Sequence, residues 1–149
     1  MELENYESDT FQVDVSKFPF VRMASSSIQP TSQQVDSYLE YLDKLHLHSD
    51  SFVIMSETPK KMIILKAEHR IKIGNWMKEN KEKIINCKAM AFIASSVLYK
   101  VILQGIFLIQ PPLNEYKVFK SEKEATEWLH QKMKENNISF SSSSDLLDN

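Results

Sequence analysis

Side chains that could bind a metal ion or act as a nucleophile are few in this sequence and far apart. His46, His48 and Asp50 are of the types that ligate transition metals. Residues two apart on a helix point about 200° from each other, so the two imidazoles would not face one metal ion there. We interpret them instead as histidines at the end of a helix, interacting with its dipole. The sequence therefore predicts no metal site and no cofactor.

The single cysteine, Cys87, limits both redox and covalent chemistry. One cysteine excludes a disulfide within the chain and a zinc site built from cysteines. Cys87 lies at the start of an apolar segment, where a small buried side chain is expected. No nucleophile is accompanied in the sequence by a base and an orienting group, so we expect a binding protein rather than an enzyme.

A short polar segment after the third apolar stretch could carry a phosphate. Ser56 and Thr58 precede the basic pair Lys60 and Lys61, which would lie close to an added dianion. Ser, Thr and Pro together are more typical of a loop that closes a strand. The residues therefore leave both interpretations open, a phosphorylation-switched loop and an ordinary turn.

Length and composition suit one small domain. The chain has 149 residues, 42% of them hydrophobic, and a formal net charge of -2. Its only glycines are Gly74 and Gly105, which excludes a glycine-rich phosphate-binding loop. Neither a secretory signal nor an apolar stretch of about 18 residues is recognisable, so we expect a cytoplasmic protein without a membrane span.

The segment 60–88 is basic, with nine Lys or Arg against three Glu. A nucleic acid could bind such a segment, with Trp76 stacking on a base. The interleaved glutamates, such as Glu79 four residues before Lys83, are more typical of a solvated helix with ion pairs along its surface. We therefore expect no nucleic-acid partner.

The spacing of apolar residues predicts five strands and four helices in the order β-β-α-β-α-β-α-β-α. The predicted strands cover about 11–15, 20–25, 51–55, 88–94 and 116–119, and the predicted helices cover about 32–45, 67–85, 97–109 and 122–136. The first two strands should form an antiparallel hairpin, and the later ones should pair in parallel through crossover helices. This order predicts an α/β fold with a mixed, mainly parallel five-stranded sheet.

Local signals set the limits of the domain. Ser121 and Glu124 form a capping box that opens the last helix, and Gly74 inside the second helix marks a break or a close contact. Residues 11–136 are predicted to fold as a single domain. The acidic residues 1–10 are predicted to form a flexible arm, and the Ser-rich residues 137–149 a disordered tail.

The predicted helix 97–109 is apolar on nearly every side. Its polar side is marked by Lys100 and Gln104, and Leu103 and Phe107 lie beside that stripe. A neighbouring subunit could bury the helix, it could wall a pocket for an apolar ligand, or other parts of the chain could cover it. The candidate residues for a partner or ligand surface are Tyr99, Leu103, Phe107 and Ile109.

The second half of the chain resembles the STAS-like proteins related to the sporulation anti-sigma-factor antagonist. The resemblance rests on the apolar strand Lys88–Ile93, the long apolar helix after it, the pair Val118-Phe119, and the following run Glu124-Ala125-Thr126-Glu127-Trp128-Leu129. It implies a STAS-like fold, similar to that of the CRAL-TRIO lipid-transfer proteins, over residues 11–134. Such domains usually act as binding or regulatory modules without catalysis.

One motif of that family is absent. In its phosphorylation-switched members an Asp-Ser-Ser-Gly-type sequence follows the third strand, and a serine of the motif accepts the phosphate. The corresponding segment here, Met55–Lys61, has no glycine and no Ser-Ser pair. The resemblance therefore does not extend the phosphoacceptor role to Ser56 or Thr58.

Taken together, the residues and the resemblance predict a non-catalytic regulatory module. We expect it to act by protein–protein interaction in a signalling pathway and to form a homodimer. The alternative is a carrier or sensor of a small apolar, lipid-like ligand held between the helix 97–109 and the sheet.

Overall fold

Strands and helices alternate along most of the chain in a computed structural model, which describes residues 3–47, 50–59, 61, 63–94, 96–109 and 111–140. The strands are β1 (Tyr6–Glu7), β2 (Phe11–Asp14), β3 (Phe20–Ser25), β4 (Phe52–Glu57), β5 (Cys87–Ile93) and β6 (Tyr116–Phe119). The helices are α1 (Ser32–Leu47), α2 (Ala67–Glu79), α3 (Lys81–Ile84), α4 (Val97–Ile109) and α5 (Glu122–Glu135).

The strands form one sheet in the order β1-β2-β3-β4-β5-β6, which is also their order in the chain. The pairs β1–β2 and β2–β3 are antiparallel, and the pairs from β3 to β6 are parallel. The predicted mixed, mainly parallel α/β sheet is confirmed. The two-residue strand β1 was not predicted, and the predicted helix 67–85 forms two helices, α2 and the one-turn helix α3.

Helices cover both faces of the sheet. On the first face, α1 and α2 pack over β2 to β5, with Phe52 and Ile54 of β4 in the core between them. α4 packs on this same face over β5 and β6. On the second face, α5 packs over Val53 and Met55 of β4. Neighbouring residues of a strand point to opposite faces, so alternate side chains of β4 pack against the helices of the first face and against α5 on the second face.

The starts of α1 and α5 are fixed by side-chain hydrogen bonds. Thr31 Oγ1 accepts a hydrogen bond from the Gln34 amide at 3.1 Å, and Gln34 Oε1 accepts one from the Thr31 amide at 3.0 Å, which caps α1 reciprocally. Ser121 Oγ accepts from the Glu124 amide at 3.2 Å at the start of α5, as the capping box predicts. Each bond satisfies an amide that has no partner inside its helix.

Gly74 marks neither a break nor a close contact. The predicted second helix is interrupted at Asn80, whose amide and Nδ2 both donate to the Trp76 carbonyl, at 3.0 and 2.8 Å. A Cβ built on Gly74 would meet nothing within 4 Å. The prediction failed because an asparagine side chain ends a helix by bonding its carbonyls, which a glycine-based rule does not detect.

The acidic residues predicted as a flexible arm are part of the fold from Leu3 onward. Strand β1 pairs with β2, and the Tyr6 ring lies 5.1 Å from that of Tyr41. Asn5 Oδ1 accepts a hydrogen bond from the Val15 amide at 2.8 Å. The acidic composition suggested disorder, but the aromatic ring of Tyr6 packs on the domain and holds this segment in place.

The start of the predicted disordered tail also packs on the domain. The Ile138 amide donates to the Met133 carbonyl at 2.8 Å, and Ile138 and Phe140 pack against the core of the second face. Asn137, with a positive φ of 57°, makes the reversal after α5 that brings them there. Residues 141–149 of the predicted tail lie outside the described residues.

His46 is a core residue rather than a charged histidine at a helix end. It is 6% exposed, its Nδ1 lies 2.8 Å from the Leu42 carbonyl oxygen, and its ring meets those of Phe52 and Trp76 edge-on at 5.4 and 5.5 Å. Burial lowers the pKa of His46 below its ordinary 6.5, against smaller raising effects from Leu42 and Asp43. His48 lies outside the described residues.

Ending the chain after Asn137 should destabilise the domain, although the sequence alone predicts no effect. The change removes the contacts of Ile138 and Phe140, and we expect the free energy of unfolding to fall by about 1–2 kcal/mol. Chemical denaturation measures the change. A chain ending after Phe140 is the matched control, and equal stability of the two truncated chains would show that these residues contribute nothing.

The free energy of unfolding should fall as the pH drops through about 6.5, because the unfolded chain binds a proton at His46 that the folded core disfavours. This part of the stability is complete above that pH and is lost below it. His46→Phe keeps an aromatic ring in the core but removes the group that binds the proton, so the decline should be shallower. Urea denaturation between pH 5 and 7.5 tests this, and parallel curves for both proteins would contradict it.

Candidate binding site

The inner side of α4 is the one that packs on the sheet. Leu103 is 8% exposed and Tyr99 and Phe107 are partly buried, in a cluster with Ala94 and Val118. The Phe107 ring also lies 4.8 Å from the Phe92 ring and 4.9 Å from the Tyr116 ring. These contacts fix the rotation of the helix about its axis.

The outer side of α4 is apolar and faces solvent. Ile109 is 89% exposed and Leu108 is 87% exposed. Five further apolar side chains of the helix are between 40% and 65% exposed, namely Val97, Leu98, Val101, Ile102 and Ile106. We call these seven side chains the outer face of α4. Monomeric proteins rarely expose so large a contiguous apolar surface without using it.

The four residues predicted as a partner or ligand surface are therefore divided between the two sides of the helix. Leu103 packs against the chain's own sheet and is not available to a second subunit, so a dimer contact through Leu103 is wrong. Ile109 belongs to the outer face. Periodicity could not make this distinction, because a helix that is apolar on nearly every side gives no preferred direction.

A cavity of about 300 Å³ lies beside the inner side of α4. Leu103, Phe107 and Phe92 form one wall. Pro59 adds to the apolar lining, as do Phe11, Ile28, Pro30, Ile63 and Leu65. The sequence did not indicate these last five, because they come from strand β2 and from two loops whose approach depends on the tertiary fold.

Ser56 and Thr58 line the same cavity, at the end of β4. Thr58 Oγ1 donates to the Ile93 carbonyl oxygen at 2.7 Å, which holds the loop after β4 against the end of β5. Lys60 lies outside the described residues. The structure thus brings the predicted loop residues together with Leu103 and Phe107, which the sequence treats as separate sites.

Cys87 is a small buried core residue, as expected. It is 3% exposed, and its Sγ lies 3.5 Å from the Ala89 carbonyl oxygen. Burial raises the pKa of the thiol to about 12, so it stays protonated at neutral pH. A protonated, buried thiol does not act as a nucleophile.

The basic segment offers no stacking platform at Trp76. Its Nε1 donates to Asp43 Oδ1 at 2.7 Å and its ring packs on that of His46, so the indole is engaged within the chain. Lys72 Nζ lies 2.8 Å from Asp36 Oδ1, which links α2 to α1. In the described parts of the chain, no cluster of three or more His, Cys, Asp or Glu could hold a metal ion.

No helix among the described residues combines the length and apolar character needed to cross a membrane.

Comparisons with known proteins identify the fold. Residues 76–133 match a family model described as a domain of unknown function, DUF7793. A solved structure from Shewanella loihica PV-4, an uncharacterized protein of the DUF3478 family with a SpoIIAA-like fold, superposes with a TM-score of 0.60 at 11% sequence identity. The match covers 83% of this chain and 97% of that chain. None of the curated proteins matches. The chain therefore has the STAS or SpoIIAA-like fold that its sequence resembles.

Proposed function

We propose that the protein is a non-catalytic regulatory module that binds other protein surfaces through the outer face of α4, and that a second copy of the chain is one of these partners. The observation that carries the proposal is the exposure of the seven apolar side chains of that face, between 40% and 89%. A SpoIIAA-like fold fits a regulatory binding module.

The size of the outer face supports a stable contact. Its side chains expose roughly 700–800 Å² of apolar surface, close to the roughly 800 Å² that each partner contributes to an interface of standard size. Burial of such a surface is favourable in proportion to its area, although part of that gain offsets the loss of translational freedom.

The charge of α4 favours a second copy as the partner. The helix contains neither Asp nor Glu, and Lys100 is its only charged residue. A partner with a charged surface would gain little from such a helix, whereas an identical apolar face is complementary to it. In a dimer with twofold symmetry, the same patch is used on both subunits.

Gly105 allows two such helices to approach closely. It lies on the same side of α4 as Val101 and Leu108, and a Cβ built on it would meet nothing within 4 Å. Glycine in a helix interior costs about 1 kcal/mol relative to alanine. At this position the missing side chain leaves room for a neighbouring backbone.

Replacing Val101 and Leu108 by Glu should abolish self-association and leave the fold intact, because these side chains are 59% and 87% exposed. Sedimentation equilibrium at tens of micromolar should give a dimer for the unaltered chain and a monomer for the double variant. The matched control is Ile71→Glu on α2, where the side chain is 62% exposed but lies outside the outer face.

Either of two results would overturn self-association through α4. The unaltered chain could be a monomer at these concentrations, or the double variant could remain a dimer. A monomeric chain that sediments with neutral lipid vesicles would assign the outer face to a membrane surface instead.

The cavity beside α4 supports a second candidate function, the reception of a small apolar molecule. Leu103, Phe107 and Phe92 line a space of about 300 Å³, which is within the range of known ligand pockets. This function uses the inner side of the helix and the first one uses the outer side, so the two can be tested separately.

A further inference from the structure

The position of the cavity is one at which α/β proteins commonly bind ligands. Ser25 ends β3, Ser56 and Glu57 end β4, and Phe92 is the last residue but one of β5, and all four line the cavity. These three strands run parallel, so the cavity lies at their carboxyl edge. In open α/β sheets ligands bind outside the carboxyl edge, most often where the strand order reverses; this sheet has no reversal, so its cavity shares with those sites the carboxyl edge alone.

The walls of the cavity are aromatic and aliphatic. The rings of Phe92 and Phe107 are 4.8 Å apart and tilted by 56°, and Leu103 lies on the same wall. Across from them Phe11 is held by stacking on Tyr38, with ring centroids 4.1 Å apart. These contacts keep the walls in place without a ligand, and they favour a ligand with a ring.

Two hydroxyl groups on the cavity are unengaged. Thr58 and Ser26 donate their hydroxyls to backbone carbonyls, each at 2.7 Å. The hydroxyls of Ser25 and Ser56, in contrast, have no hydrogen-bond partner among the described residues. Ser56 pairs with Met23, two residues before Ser25, so both hydroxyls lie on the first face of the sheet. A hydroxyl or amide of a ligand could bond to either.

The described lining of the cavity contains no cation that could pair with an anionic ligand. Among the lining residues that the structure describes, Glu57 alone is charged. Glu57 follows Ser56 along the strand and so points to the second face, where it lines a groove with Arg22. An anionic ligand would lose its hydration without gaining an ionic partner, which is costly.

The volume of the cavity indicates the size of the ligand that it would hold. An apolar cavity of about 150 Å³ holds one benzene molecule in a well-studied protein. A cavity of about 300 Å³ therefore takes roughly ten to twelve non-hydrogen atoms. The acyl chain of a common membrane lipid is longer and would leave much of its apolar surface outside the cavity.

We propose that the cavity binds an uncharged aromatic or alicyclic alcohol or amide of roughly ten to twelve non-hydrogen atoms, with its ring between Phe92, Phe107 and Phe11 and its polar group at Ser25 and Ser56. This inference rests on the second candidate function and narrows its ligand from a lipid-like molecule to a small neutral one.

Binding of 2-naphthol, an aromatic alcohol of this size, tests the proposal by isothermal titration calorimetry at pH 7. We expect one molecule per chain with a Kd below about 100 µM. We expect 4-ethylbenzoate, an anion with the same number of non-hydrogen atoms, to bind at least about tenfold more weakly because the described lining of the cavity offers no cation. Palmitate is expected not to bind because of its length.

Variants at Ser56 locate the bound probe. Ser56→Leu fills the polar end of the cavity, and we expect it to weaken 2-naphthol binding by at least about tenfold. Ser51→Leu is the matched control, because Ser51 is also partly buried but lies just before the amino end of β4, and it should leave binding unchanged. Ser56→Ala removes only the hydroxyl and should weaken binding by about threefold to tenfold. It can replace Ser56→Leu in the test if the leucine variant does not fold.

The possible failures are distinguishable. Palmitate binding more tightly than 2-naphthol would overturn the inference and leave the second candidate function standing. If none of the three probes binds, both the inference and the second candidate function are overturned. Binding of 2-naphthol that Ser56→Leu and Ser56→Ala leave unchanged would place the probe elsewhere and overturn the inference. None of these results bears on self-association through the outer face of α4.

Discussion

Strand β4 carries four consecutive apolar side chains, Phe52 to Met55, and each of them is at most 3% exposed. Their burial requires a layer of helices on each face of the sheet, since neighbouring side chains point to opposite faces. The crossover helices provide the layer on the first face. Among the described residues, the layer on the second face comes from α5, which contributes Ala125, Leu129 and Met133, and from Ile138 and Phe140 just after it. The small side chains of Ala89 and Ala91 in β5 allow α5 to lie close to the sheet.

The unusual exposure of α4 follows from its place at the edge of this arrangement. Strand β6 is the last strand of the sheet and has only four residues, so α4 has a narrow surface to pack against. One row of its side chains, centred on Leu103, is enough to cover that surface. The remaining apolar side chains have nothing in the described part of the chain to cover them. The helix therefore separates the cavity on its inner side from the exposed apolar surface on its outer side.

Much of the fold could be predicted because its signals are local. Period-two alternation located β2, and the Ser121 cap located the start of α5. The features that failed depend on contacts distant in sequence. Strand β1 is held by Tyr6 against α1, and Phe140 returns to the core after α5, which no composition rule detects. The cavity was the hardest feature to predict, because loops far apart in the sequence form it. Two of its lining residues, Leu103 and Phe107, were nevertheless candidates from the sequence.

The strands lie in the sheet in the same order as in the chain, and this order affects how the sheet can assemble. Each strand pairs with the one made just before it, so the sheet can grow outward one strand at a time during synthesis. No strand has to insert between two that are already paired, and no hydrogen bonds need to be broken for a later segment to find its place. Contacts between segments adjacent in the chain require little loop closure, which favours fast folding even though most of the sheet is parallel.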